Sequence, residues 1–123
     1  MAEAARLTDS TLCAYTYDYC SHPIYDDDGN IIGKEHPGGS TPGLIDKGSP
    51  NVFINGLPAA RMTDTSDEWT VPSCSTGTGV IIGGSGNVFI NGLPAARKGD
   101  AVSPHTDIPG EITSGSGNVF IGG

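Results

Sequence analysis

Gly48 to Arg61 reads "GSPNVFINGLPAAR", and Gly84 to Arg97 reads "GSGNVFINGLPAAR"; the two copies differ only at Pro50 against Gly86. A third copy starts at Gly115 as "GSGNVFIGG" and reaches Gly123 without a tail. The tail is found at residues 4–9, "AARLTD", which parallels "AARMTD" at 59–64 and "AARKGD" at 95–100. Three starts and three tails make three whole cycles only if the ends meet. An open stack of repeats would instead need a capping unit at each end. The expectation is one all-β domain over residues 1–123 with pseudo-threefold symmetry and adjacent termini. Its repeat cores are 48–64, 84–100, and 115–123 completed by 4–9.

Within a copy, "NVFI-NG-LPAAR" reads as a hairpin. Val52 and Ile54 share one face and Phe53 takes the other, because side chains alternate along a strand. Asn55-Gly56 and Asn91-Gly92 are strong signals for a two-residue turn whose central residues both need positive φ. Pro58 and Pro94 cannot donate to a ladder, so their arms must be edges or interrupt pairing there. A lone hairpin is marginal, whereas three wound together can bury Val, Ile and Leu as one core. Arg6, Arg61 and Arg97 each stand three residues before an acid, Asp9, Asp64 and Asp100. This recurrence points to structural pairs. No window reads as a helix.

Composition narrows the function classes. The chain has 19 glycines and 9 prolines among 123 residues, close to the range of disordered chains. Its apolar residues, however, fall in short clusters, the pattern of many short strands and tight turns. Six basic and 14 acidic residues give a net charge of −8, which argues against nucleic acid and anionic membranes as partners. No apolar run approaches a membrane span, and "MAEAARLTD" has neither the basic start nor the apolar stretch of a secretory signal, so cytoplasmic assembly is expected. Cys13, Cys20 and Cys74 are an odd number of cysteines, which favours thiols or metal ligands over a disulfide frame.

Three unlike connections separate the copies, residues 10–47, 65–83 and 101–114, and they hold every cysteine and histidine. Cys74 and His105 each lie 10 residues before the next "GS", and His36 lies 12 before its own. Threefold symmetry would bring these three side chains to similar heights near one axis. A fourth ligand would complete the closed tetrahedron of structural zinc. His22, Cys20 and Cys13 are the candidates for it. Asp26-Asp27-Asp28-Gly29-Asn30 lacks the alternating acids and closing Glu of a calcium loop. It reads as a hairpin tip, with Ile31 and Ile32 returning. The glycine-rich "GGSGN" has no following Lys or helix, so it is not a phosphate loop. Trp69, in "DEWTVP", reads as a core or rim aromatic.

The sequence "LPAAR" at 57–61 and 93–97, framed by "GSxNVFING" and followed by an Asp, resembles the proline-alanine-alanine-arginine (PAAR) repeat family. These are spike-tip proteins of contractile injection machines such as type VI secretion systems and phage tails. The likeness runs from Ala4 to Gly123. It implies a small cone of short intertwined strands and hairpins, broad at the base, with an apex pinned by zinc or iron. Three histidines and one cysteine commonly hold that metal, which here implies His22, His36, Cys74 and His105, with Cys20 and Cys13 in reserve. The implied partner is a trimeric β-helical spike, capped by one copy whose three faces meet three identical chains. The implied life cycle is assembly in the bacterium or at a virion tail tip, then ejection on sheath contraction with brief contact with a target membrane. "Thr-Asp" stands at 8–9 and 63–64 where "Gly-Asp" is common, and the first connection is unusually long at 38 residues.

The expectation is therefore a non-enzymatic structural tip. A second reading is an adaptor that carries an effector through the acidic 10–47 segment; the third copy ends at Gly123, so no fused toxin is expected. A zinc hydrolase would need an open coordination position and a base such as Glu35, Glu68 or Glu111.

Overall fold

The computed structural model describes residues 1–15, 22–35, 39–69 and 76–122. Among them every regular element is a strand. Six strands close a barrel: β2 (Ser10–Tyr15), β5 (Gly39–Ile45), β8 (Thr65–Trp69), β9 (Thr76–Ile81), β12 (Ala101–Ser103) and β13 (Ile108–Ile112). The circular order is β12-β13-β2-β5-β8-β9 and every pairing is antiparallel. It is thus built from three long hairpins, β2/β5, β8/β9 and β12/β13. A separate hairpin, β3 (His22–Tyr25) with β4 (Ile31–Glu35), sits in the first connection. This closed sheet, with no helix among the described residues, is the all-β fold expected and is consistent with a small β cone.

At the other end of the barrel each copy forms a short hairpin. β6 (Phe53–Ile54) pairs with β7 (Leu57–Pro58), and β10 (Phe89–Ile90) with β11 (Leu93–Pro94). Asn55 and Asn91 have φ 53°, and Gly56 and Gly92 have φ 79° and 78°, the turn that Asn-Gly encodes. The third hairpin joins the two ends of the sequence: β14 (Phe120–Ile121) pairs with β1 (Ala2–Glu3) in the register Phe120↔Glu3 and Ile121↔Ala2. This matches Phe53↔Pro58 and Ile54↔Leu57.

The Ala-Ala pairs explain the threefold closure. Ala5 N–H donates to Ala96 O, Ala96 N–H to Ala60 O, and Ala60 N–H to Ala5 O, each at 3.0 Å. Three backbones meet in one hydrogen-bonded ring, and only small side chains allow that approach. Ala4, Ala59 and Ala95 form a second layer, and all six alanines are fully buried. Ile54, Ile90 and Ile121 cover the second layer, while Ile45, Ile81 and Ile112 cover the first inside the barrel. Burying each of these six Ile side chains contributes about 1.5–3 kcal/mol. The prolines lose nothing by lacking a donor, because their carbonyls carry the link between copies: Leu7 N–H donates to Pro58 O and Met62 N–H to Pro94 O, both at 2.8 Å.

The Arg/Asp recurrences are structural, as expected. Arg6, Arg61 and Arg97 each donate from Nε and the backbone N–H to one oxygen of Asp9, Asp64 or Asp100, and from a terminal nitrogen to the other. Hydrogen bonding to the Asp holds each guanidinium pKa above its usual value. The free arm of the fork reaches the turn of another copy: Arg6 to Asn55 Oδ1 and Arg61 to Asn91 Oδ1, both at 3.0 Å. Ser116 and Ser49 donate to the same two oxygens at 2.6 Å. Where the third copy has no such Asn, the Gly122 carbonyl accepts from Ser85 and Arg97. The turn Asn is therefore a junction between copies as well as a conformational choice.

Candidate metal centre

Strand direction sets where the chemistry-bearing residues fall. β2, β8 and β12 run away from the Ala-Ala ring, and β5, β9 and β13 return to it. Tyr15, Gly39, Trp69, Thr76, Ser103 and Ile108 therefore end at the same, distal end of the barrel. The connections that leave there are those in which the sequence places Cys20, His22, His36, Cys74 and His105. Cys20, His36 and Cys74 lie outside the described residues. His22 opens β3 and pairs with Glu35 across the hairpin. Asp26–Asn30 forms the tip of that hairpin, as expected, with the Asp26 carboxylate accepting from the N–H groups of Asp28 and Asn30. Those bonds lower its pKa.

His105 is the implied ligand whose side chain is described, and its setting is specific. Its backbone N–H donates to Glu68 Oε1 at 2.9 Å, and Nδ1 lies 2.9 Å from the same oxygen. Glu68 is 1% exposed, on the inner face of β8. Its Oε2 accepts from Ser66 Oγ at 3.3 Å and lies 3.9 Å from Cys13 Sγ. An imidazole held at one nitrogen by a carboxylate is the usual arrangement of a histidine that binds metal through the other. His105 is thus held by Glu68 as a metal-binding histidine would be. Among the described residues no three His, Cys, Asp or Glu side chains come together as a metal cluster.

Cys13 has a different environment. It is 4% exposed and faces the barrel interior, with Sγ 3.8 Å from Val102 O. Burial, aided by the neighbouring Glu68 charge, pushes its thiol up to about 11. It packs in the same core as Ile45, Ile81 and Val102. Of the three glutamates weighed as a hydrolytic base, Glu68 is fully engaged and Glu111 is exposed on the outer face of β13. For Glu35 the structure gives only its strand position.

Sequence reasoning weighed Glu68 only as a base and did not see the space made for it. Gly43, Gly79 and Gly110 each stand two residues before Ile45, Ile81 and Ile112, so "GxI" recurs three times as "GLI", "GVI" and "GEI". That recurrence was a legible signal. A Cβ at Gly43 would meet Thr11 Oγ1 at 2.7 Å and Glu68 Cγ at 3.0 Å, and one at Gly79 would collide with Glu68 Oε2. At Gly77, which pairs with Glu68, a Cβ would lie 2.6 Å from His105 Cγ. The glycines hollow the barrel for a carboxylate and an imidazole.

The fold and the recurrent junctions define a class: a pseudo-threefold β protein of three similar copies whose unlike loops gather at one end. The family model for the PAAR motif matches residues 71–123. The match spans less than half of the chain and supports a PAAR-repeat protein, of the kind found in contractile injection systems. The matched residues hold the second copy and the start of the third; Arg61/Asp64 and Arg6/Asp9 extend the same geometry through the rest of the chain. The motif supports a spike-tip type of function and association with a spike. No curated protein matches the chain.

Proposed function

We propose that the protein is a structural cap that sharpens a trimeric β-helical spike, one copy per trimer, with its distal end leading into the target membrane. The observation that carries this reading is a threefold apolar ring at the base. Phe53, Phe89 and Phe120 occupy equivalent positions on the three short hairpins and are 57%, 57% and 48% exposed. Val52 and Val88 beside them are also exposed. Three like aromatics around one axis offer matched anchors to three identical chains. Capping also covers strand edges that the trimer would otherwise expose.

The metal belongs to the same reading. His22, His36, Cys74 and His105 would hold a structural zinc or iron ion, with Cys20 in reserve and Cys13 set apart by its place in the barrel core. A closed four-ligand ion would cross-link the connections where little apolar core is available. No catalytic step is required of it. Assembly in the cytoplasm or at a virion tail, and ejection on contraction, follow from the spike-tip role.

The test is co-purification with a candidate trimeric spike, expecting one cap per three spike chains. Phe53→Asp with Phe89→Asp should abolish the complex while leaving the cap folded. Undiminished binding by that variant would remove the Phe ring from the interface. Metal analysis of the wild-type complex identifies the ion, and chelation should lower the melting temperature of the cap.

One observation favours an effector-adaptor role in addition. The β3/β4 hairpin exposes Tyr25, Ile31 and Ile32 beside its acidic tip, in the longest connection. Deleting residues 23–34 should release bound cargo without affecting spike capture.

A further inference from the structure

Glu68 is costly where it stands. A carboxylate withdrawn from water is expensive unless its lone pairs are satisfied, and an apolar side chain of similar volume often serves a core equally well. Here the barrel makes room for it. Gly43 and Gly77, its partners on the two neighbouring strands, have no side chain, and Gly79 leaves space for Oε2. Both hydrogen bonds on Oε1 come from His105, and one of them contacts the ring. The other acceptor atom meets only a hydroxyl and, at long range, a thiol. Glu68 thus holds position 105 in both backbone and ring.

We propose that Glu68 is the positioning residue of the metal centre: it holds the His105 imidazole as the Nδ1–H tautomer, so that Nε2 carries the lone pair for a divalent zinc-class ion. This rests on His105 being a ligand. The carboxylate fixes which nitrogen is basic, limits ring rotation before the ion arrives, and raises the ligand's basicity once it is bound. Loss of such a partner typically weakens metal binding by about 10–100-fold. A core-filling Glu would have no such effect.

The experiment uses the full chain, stripped of metal, as wild type, Glu68→Met, Glu68→Gln, His105→Ala and the Glu68→Gln/His105→Ala double variant. Zn²⁺ affinity is measured by competition with a chromophoric chelator. The tautomer of His105 is read from ¹⁵N ring shifts in the metal-free protein. Glu68→Met is expected to raise the Kd by about 10–100-fold, and to shift the ring from Nδ1–H toward Nε2–H. Glu68→Gln keeps an acceptor oxygen, so it should hold the tautomer and recover part of the affinity. A folded Glu68→Met chain with wild-type affinity and an unchanged ring overturns the proposal. If Glu68→Met does not fold, Glu68→Gln must still weaken binding when His105 is present and add nothing in His105→Ala. No loss in the first background, or equal loss in both, overturns it. A wild-type chain that binds no Zn²⁺ overturns the metal reading itself, and this proposal with it.

Discussion

The three copies contain an internal experiment on backbone strain. Thr8, Thr63 and Gly99 occupy the same place after the Arg of each copy, and all three have positive φ, at 75°, 81° and 93°. Each N–H donates at 2.8 Å to the last residue of a returning barrel strand, Ile45, Ile81 or Ile112, so the conformation is imposed by the barrel. A left-handed conformation costs an L-residue about 1–2 kcal/mol, and a β-branched side chain adapts to it poorly. Glycine avoids that cost but loses about 0.5–1 kcal/mol more in chain entropy on folding. Thr8 and Thr63 are exposed, so removing either side chain opens no cavity. Thr63→Gly should therefore stabilise the protein by about 0.5–1 kcal/mol, and Thr8→Gly by a similar amount. The reverse change, Gly99→Thr, should destabilise it by about the same 0.5–1 kcal/mol, the left-handed cost less the entropy regained. The assay is urea unfolding in chelator at fixed pH, with a thermal melt expected to rise by about 2–5 °C for each Thr→Gly change. A lower midpoint for Thr63→Gly, or an unchanged one for Gly99→Thr, would refute the claim that φ dominates at these positions.

Three further outcomes follow from the packing. Arg61 and Asp64 are the most buried of the three pairs, with side chains 10% and 2% exposed, so Arg61→Ala should cost about 3 kcal/mol in urea unfolding, more than Arg6→Ala or Arg97→Ala. Gly79→Ala should destabilise by about 1–3 kcal/mol, because its Cβ collides with Glu68 Oε2, whereas Gly117→Ala, with nothing nearby, should be close to neutral. The Cys13 thiol should resist alkylation at pH 8 until the chain unfolds. Burial pushes its folded pKa up to about 11, above the thiol's ordinary value of 9.0. The folded state therefore keeps its proton where the unfolded state loses it, and stability should fall as pH rises between those values, by about 1.4 kcal/mol per pH unit. Cys13→Ala should remove that slope, as read from urea midpoints across the range.

What could be read from the sequence was what recurs. The copies gave the threefold closure, the Asn-Gly turns, the Arg/Asp pairs and the place of the unlike connections, because each recurrence repeats a local geometry. Pairing of β1 with β14 follows from the same reading. The barrel interior was harder to read, since its alternation is not hydrophobic. Along β8, Ser66 and Glu68 point inward, and along β2, Thr11 does, while Leu12 and Leu44 on neighbouring strands are exposed. A pattern search that expects apolar side chains inside assigns such strands to the wrong face. Buried Glu68 looks like any solvated acid until Gly43, Gly77 and Gly79 are placed around it. The "GxI" recurrence held that information, and only the register across β5, β8 and β9 turns it into a cavity for a carboxylate.

The same geometry gives a reason for three copies in one chain rather than three chains. Four residues after Asp9, Asp64 and Asp100 the sequence has Cys13, Glu68 and Pro104. These are equivalent positions at the start of the distal half of the barrel, and Cys13 Sγ reaches Glu68 Oε2. A homotrimer would have to repeat one residue there. Three glutamates around one axis could not all ionise, because like charges at such range push each other's protonation up. Three prolines or three thiols would leave His105 without its acceptor. Fusing the copies lets the base of the protein keep three equivalent exposed Phe side chains, while the layer beneath the distal loops pairs the Glu68 carboxylate with His105. Symmetry is retained where a symmetric partner would dock and abandoned where one ion would bind.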